Sequence, residues 1–180
     1  MKKLSILFIL LVSISINAQE INWMSLEDAV AAQKTNPKKI MMDAYTNWCG
    51  PCKMLDKNTF GNADVAAYVN ENYYAVKFNA EGNKEITYEG NIYKNPGYDP
   101  AKANKRNSGH QLASYFGVRA YPTIIFLDTE AKLIAPIPGY QKPAQLEIYL
   151  KMFHTDAYKD IQSKEAYEKY MADFTYTFKE

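Results

Sequence analysis

The sequence predicts an α/β domain, a central mixed sheet with helices on both faces. Three observations predict it. Segments with helical and strand signatures alternate in the order helix, strand, helix, strand, insert, helix, strand, strand, helix. The run Lys39-Ile40-Met41-Met42-Asp43-Ala44-Tyr45 is apolar at both parities, the pattern of a central strand covered on both faces. Residues 124–127 and 132–137 are parted only by the turn Asp128-Thr129-Glu130, so the later strand returns antiparallel. The chain has 180 residues, 47% of them hydrophobic and 14% aromatic, enough for one ordered domain with a sizeable core.

Each element has a local reason. Ser25, followed three residues later by Asp28, resembles a capping box and starts a helix that ends near Asn36-Pro37. After the first strand, Cys49-Gly50-Pro51-Cys52 opens a helix carrying Lys53, Met54 and Leu55. A second short helix covers 63–70, and 73–78 is the next strand. From about Glu81 to Ser108 the pattern is least regular. Ile86-Thr87-Tyr88 and Ile92-Tyr93 flank Glu89-Gly90-Asn91 as a small hairpin, Asn95-Pro96-Gly97 and Asp99-Pro100 are breakers, and 102–106 is basic. This stretch reads as an insert decorating the domain. A helix resumes over 110–116, the two strands above follow, and helices over 143–153 and 163–174 end the chain. The domain therefore spans 19–154, with 155–180 a C-terminal helical extension.

The N-terminus reads as a signal peptide over residues 1–18. Lys2 and Lys3 precede an apolar stretch over 4–16, and cleavage after Ala18 leaves a small residue at the cut. The alternative is an uncleaved anchor, for which the run is short. No cysteine lies near the cut, which excludes a bacterial lipoprotein anchor. The net charge of +1 falls to about −1 once Lys2 and Lys3 are removed, and no basic patch points to nucleic acid. The expected location is the periplasm or the exterior.

Two cysteines are present, Cys49 and Cys52, in Trp48-Cys49-Gly50-Pro51-Cys52. A pair so spaced closes a disulfide where a strand turns into a helix. Its loop is too small to stabilise the fold much, so redox chemistry is the better reading. The alternatives are a structural disulfide or half of a zinc site, for which His110 and His154 are the imidazoles. Cys49, at the helix start, has free N–H groups and the dipole to stabilise a thiolate and is the expected nucleophile. Cys52, one turn in, is the resolving thiol. Gly50 leaves room for an incoming sulfur, and Pro51 fits the first turn. Trp48 is an apolar flank or a plain aromatic. Asp43, between apolar neighbours, is expected to be buried with a raised pKa. It is either the proton acceptor for Cys52 or a structural carboxylate paired with Lys77. His110 and His154 read more simply as helix-terminal residues than as catalytic ones. The tyrosines of the insert and tail cover the core or face a partner.

Asp43 with Cys49–Cys52, Lys77 in the next strand, Gly117-Val118-Arg119-Ala120-Tyr121-Pro122-Thr123, and Gly139 after the fourth strand resemble the thioredoxin superfamily over roughly 24–153. The chain resembles exported bacterial thioredoxin-domain proteins with an insert before the cis-proline helix. The resemblance implies a thioredoxin-like fold and thiol–disulfide exchange with Asp43 assisting. It also implies a cis Tyr121–Pro122 bond that sets the Tyr121 backbone beside the disulfide, to pair with an extended substrate. It implies no metal or organic cofactor beyond the redox-active Cys49–Cys52 disulfide. The expected partners are exported proteins with disulfides and a membrane thiol carrier that supplies electrons. The expected direction is reduction; oxidase or isomerase activity, or a binding module with a vestigial pair, are the alternatives.

Overall fold

Burial of β2 (Lys39–Tyr45) on both faces organises the sheet. The structure is a computed structural model that describes residues 20–179. The expected signal peptide and its cut lie outside the described residues. β2 pairs in parallel with β3 (Tyr73–Asn79), which pairs in parallel with a short β1 (Trp23–Met24). On its other side β2 pairs antiparallel with β6 (Thr123–Leu127), and β6 with β7 (Leu133–Pro138). The order is β1-β3-β2-β6-β7, a mixed sheet as the sequence predicts. β1 was not expected. Two residues are too few to show a period.

Alternation along β2 sorts side chains onto two cores. Ile40, Met42 and Ala44 face α1 (Leu26–Gln33) and α4 (Gln111–Tyr115), with Leu26, Ala29, Leu112 and Phe116. Met41 faces α2 (Gly50–Leu55), α3 (Ala63–Asn72) and α5 (Pro143–His154), with Leu55, Val65, Val69, Leu146 and Leu150. Asp43 has the parity of Met41. Ser25 caps α1 by accepting from the Asp28 amide at 3.1 Å, and its hydroxyl donates to the Asp28 carboxylate at 2.6 Å. α2 continues into a π-helical turn over Asp56–Phe60.

The insert is more than decoration. Its hairpin, β4 (Ile86–Tyr88) and β5 (Asn91–Tyr93), turns at Glu89-Gly90, both at positive φ. Ile86 and Tyr88 are only 7% and 3% exposed and belong to the core shared with Phe116 and Leu127. The roots of the insert are stapled together. Asn95 Nδ2 donates to Gly82 O at 3.0 Å and to Ser108 O at 2.7 Å. The His110 amide donates to Ala80 O at 2.8 Å, and its Nε2 lies 2.9 Å from Lys84 O. The tip over 99–106 is largely exposed.

The tail is also tied down. α6 (Lys164–Asp173) buries no residue, but the chain beyond it returns to α5. There Glu147, fully buried, accepts from the Thr177 amide (2.8 Å), the Thr177 hydroxyl (2.6 Å), the Phe178 amide (3.0 Å) and Lys151 (2.5 Å). Burial pushes the Glu147 carboxyl up, but these donors outweigh it and hold it below its usual range.

Two substitutions separate the anchored part of the insert from its tip. Ile86→Ala is expected to lower unfolding free energy by about 2–5 kcal/mol. Replacing 100–105 by a short Gly-Ser loop is expected to change it by less than about 1 kcal/mol. Urea denaturation of both variants measures the difference.

Candidate active site

The loop leaving β2 delivers the cysteine pair at the C-terminal end of the central strand. Cys49 is the N-cap of α2, with extended φ/ψ, and Pro51 lies in the first turn. Cys49 and Cys52 form a disulfide with Cα atoms 5.3 Å apart. The Cys52 amide lies 3.1 Å from Cys49 Sγ, aimed at it as a donor. Among the described residues no charged side chain donates to either sulfur. A Cβ at Gly50 would meet nothing within 4 Å, so the space beside the disulfide is open there.

Asp43 lies on β2 six residues before Cys49, with the parity that faces α2. Register places it opposite Lys77 on β3 and Ile124 on β6. It is fully buried, and Lys77 Nζ donates to its Oδ2 at 2.6 Å. Its Oδ1 meets no donor among the described residues. Burial pushes the carboxyl up to about 6, although Lys77 pulls the other way. Lys77 is shared: it also contacts the exposed Asp56 carboxylate, and its ammonium sits over the rings of Trp23 (4.7 Å), Tyr45 (5.0 Å) and Phe60 (5.3 Å). Burial would lower the Lys77 pKa, but the two carboxylates outweigh it and hold it above its usual value. Asp56 lines the same cavity as Cys52, with Tyr45, Lys53 and Asn104. The sequence reading missed Asp56. Its signal was the spacing of four residues from Cys52, which puts both on one side of a helical segment.

Beside the pair lies the loop that enters β6. The Tyr121–Pro122 bond is cis, and Pro122 is buried. Pro122 O accepts from the Gly139 amide at 2.8 Å; Gly139 has φ +91°, which glycine adopts without strain. The Tyr121 backbone N–H and C=O make no hydrogen bond among the described residues. Trp48 packs edge-on to Tyr121 at 6.0 Å, and its indole N–H donates to Glu81 Oε2 at 2.7 Å. Trp48 is therefore a fixed member of the site, not a loose aromatic. Glu81 Oε2 also accepts from the Asn107 amide at 2.8 Å. Asn47 Nδ2 donates to Ala103 O at 2.8 Å, so the insert touches the cysteine loop at more than one point. No spacing in the sequence pairs Trp48 with Glu81, which lies 33 residues away.

The two histidines are occupied elsewhere. His110 caps α4: its Nδ1 accepts from the Leu112 amide at 3.1 Å, and burial lowers its pKa. His154 lies against Tyr68 and Tyr73 at the end of α5. Among the described residues no group of three or more His, Cys, Asp or Glu is placed to hold a metal.

This fold and this cysteine pair define a class. The chain belongs to the thioredoxin-like domain family, whose pattern it matches over residues 26–154. It is 26% identical over 121 residues to the thiol:disulfide interchange protein DsbD of Photorhabdus laumondii, covering 67% of this chain and 17% of that one. It is 23% identical over 131 residues to the same-named protein of Pectobacterium atrosepticum, covering 72% and 19%. The chain thus spans less than a fifth of the length of these relatives. Among solved structures it is similar to a thioredoxin-fold protein from Helicobacter pylori (TM-score 0.59, 24% identity, 76% of this chain and 82% of that one). It is also similar to a thioredoxin from Thermus thermophilus (TM-score 0.54, 15% identity, 74% and 87%). These structures share its fold. A Cys-x-x-Cys disulfide in a thioredoxin-like domain is the equipment of a thiol–disulfide oxidoreductase.

The Asp43 geometry sets a pH dependence. Its folded pKa of about 6 lies above the ordinary 3.8. The neutral form therefore stabilises the fold fully at acid pH, and that contribution is lost as pH rises through about 6. Asp43→Asn removes this loss, and Lys77 keeps Asp56 as a partner. From pH 4.5 to 7.5 the variant should gain stability relative to the parent, by about 1–3 kcal/mol at the upper end. Chemical denaturation at both pH values checks it; a parent and variant with parallel pH profiles would contradict a raised pKa.

Proposed function

We propose that this protein is an exported reductase of protein disulfides. The observation that carries the reading is the Cys49–Cys52 disulfide at the end of β2, with Asp43 buried on that strand and the Tyr121–Pro122 loop beside it. The apolar N-terminal stretch after Lys2 and Lys3 supports export. The DsbD proteins that match part of this chain are named for thiol:disulfide interchange, which agrees with this chemistry.

In the reduced protein the Cys49 thiolate attacks one sulfur of a substrate disulfide. That S–S bond breaks, the second substrate sulfur leaves as a thiol, and a mixed disulfide forms through Cys49. The Tyr121 backbone pairs with the extended substrate, holding the disulfide in line with Cys49. Cys52 then loses its proton to Asp43, directly or through water, and attacks Cys49 Sγ. The bond between Cys49 and the first substrate sulfur breaks, that sulfur leaves as the substrate's other thiol, and the Cys49–Cys52 disulfide is made. Two electrons have passed to the substrate. The redox group is this disulfide, and the reading calls on no metal or organic cofactor. A membrane thiol carrier, itself a dithiol, returns the electrons.

Direction follows from what surrounds the sulfurs. A strong oxidant stabilises its thiolate heavily. Here the dipeptide between the cysteines is Gly50-Pro51, the donor aimed at Cys49 Sγ is a backbone amide, and the nearby buried charge is the Asp43 carboxylate. Each of these leaves the thiolate weakly stabilised, which favours a reducing pair.

Three measurements test the reading. Cys52→Ser should accumulate mixed disulfides with exported proteins on non-reducing gels, and Cys49→Ser should not; equal trapping by both would sink the assignment of roles. Asp43→Asn should slow insulin reduction near neutral pH about 100-fold. Thiol trapping in cells should find the pair mostly reduced, and oxidised once the carrier is removed. A pair oxidised in normal cells would favour the oxidase reading.

A further inference from the structure

The whole chain contains two arginines, Arg106 and Arg119, against a large excess of lysine. They come from different segments, the insert and the loop before Pro122. Both line one cavity of about 410 Å³ beside the active site, with Trp48, Glu81 and Tyr121. Both are exposed, and among the described residues neither forms a salt bridge. The Arg106 guanidinium lies 5.0 Å from the Trp48 ring centroid, so it is held over the aromatic. Arginine differs from lysine in presenting a planar fork that grips a carboxylate with two parallel hydrogen bonds and stacks on rings.

The cavity has one negative group, Glu81, and it is already committed. Its Oε2 takes the Trp48 indole N–H and the Asn107 amide. Burial and this carboxylate push the Tyr121 hydroxyl up to about 12, against the pull of Arg106. Two unpaired guanidiniums therefore face a groove whose acidic residue points into the protein's own framework. The Tyr121 backbone, with its unused N–H and C=O, forms an edge of the same groove.

We propose that this groove is a selectivity site for substrate polypeptides that carry an Asp or Glu next to the reactive cystine. The extended segment pairs with the Tyr121 backbone, and the acidic side chain reaches the guanidiniums of Arg106 and Arg119. This rests on the reductase reading. A polypeptide fits better than a small carboxylate such as oxidised glutathione, because the strand-pairing edge and the arginines lie along one groove.

The experiment uses two pairs of synthetic peptides with the mature full chain. In the first pair the peptides share one intramolecular disulfide and differ by a single Glu or Gln beside a half-cystine. In the second pair every cysteine is replaced by alanine. Binding of the alanine peptides is followed by tryptophan fluorescence, which does not depend on redox chemistry. Reduction of the disulfide peptides gives a ratio of kcat/KM for Glu over Gln, in which a general loss of activity cancels.

The Glu peptide is expected to bind and react about 5–10-fold better at low ionic strength, with the advantage shrinking in salt. Arg106→Gln and Arg119→Gln should each reduce the ratio, and the double variant should bring it close to one. Arg106→Lys should keep only part of it, since the fork is lost and the charge stays. A ratio of one in the parent, or a preference that survives the double substitution, overturns the proposal. So does oxidised glutathione competing as well as the Glu peptide. If the alanine peptides show the arginine-dependent preference but neither disulfide peptide is turned over, the reductase reading falls and the acidic-peptide site stands.

Discussion

A charged residue on a strand buried from both sides must find its counter-charge on the neighbouring strand, and the Asp43–Lys77 pair obeys that constraint. The parallel register of β2 and β3 sets the two opposite each other. Lys77 then reaches beyond the pair. It contacts Asp56 at the end of α2 and lies over Trp23 of β1, Tyr45 of β2 and Phe60 of the π-turn. One ammonium thus ties together β1, the central strand, and the helix that begins at Cys49. A group desolvated on this scale is costly unless each charge is met. Here the lysine has two carboxylates while Asp43 keeps one oxygen without a donor, and burial raises the Asp43 pKa by more than Lys77 lowers it.

Glu81 plays the corresponding part on the outer side of the disulfide. It stands where β3 ends and the insert begins, and its carboxylate joins Trp48 to Asn107 near the far root of the insert. The Asn95 side chain closes the same roots from the other direction. The insert is therefore fixed at its base by hydrogen bonds and by the burial of Ile86 and Tyr88. Its tip stands free, next to the cysteine loop. A long connection costs little entropy per added residue, so such a segment can be rooted in the core and still present a variable edge.

The parts legible in the sequence are those set by local pattern. The apolar run of β2, the Ser25 cap, the Glu89-Gly90 turn and the helical opening at Cys49 all fall where their residues place them. Burial of Asp43 followed from its apolar neighbours along the strand, and its pairing with Lys77 was one of two roles left open for it. What stayed hidden depends on distant contacts. β1 is too short to show a period. The hairpin, with Thr87 and Ile92 on its outer face, gave no sign that Ile86 enters the core, and Tyr88 takes the core-covering role that was one of two open for the insert tyrosines. The four donors that meet the buried Glu147 come from its own helix and from a tail about 30 residues later. The link from Trp48 to Glu81 has no sequence signature at all. Arg106 and Arg119 fall in separate segments of the sequence, the basic 102–106 stretch and the loop before Pro122, and only the fold brings them to one cavity.

Chemistry and selectivity are thereby drawn from different parts of the chain. Asp43 and Lys77 sit on the central strands and the cysteine pair at the start of the helix that follows β2, where packing fixes them and where little can vary without disturbing the core. Trp48 is the junction. One face of its environment is the disulfide loop, and the other is the insert through Glu81 and Arg106. Because Glu81 spends its charge on the indole and on the Asn107 amide, it anchors Trp48 without pairing Arg106. The guanidinium is left stacked and available. Had the anchor been a neutral group, Trp48 would be held less firmly; had it been free to turn outward, it would cancel the arginine. The groove keeps its positive edge because its one acid is turned inward, and in the proposed reading that arrangement lets the insert influence which disulfides reach a pair of fixed sulfurs.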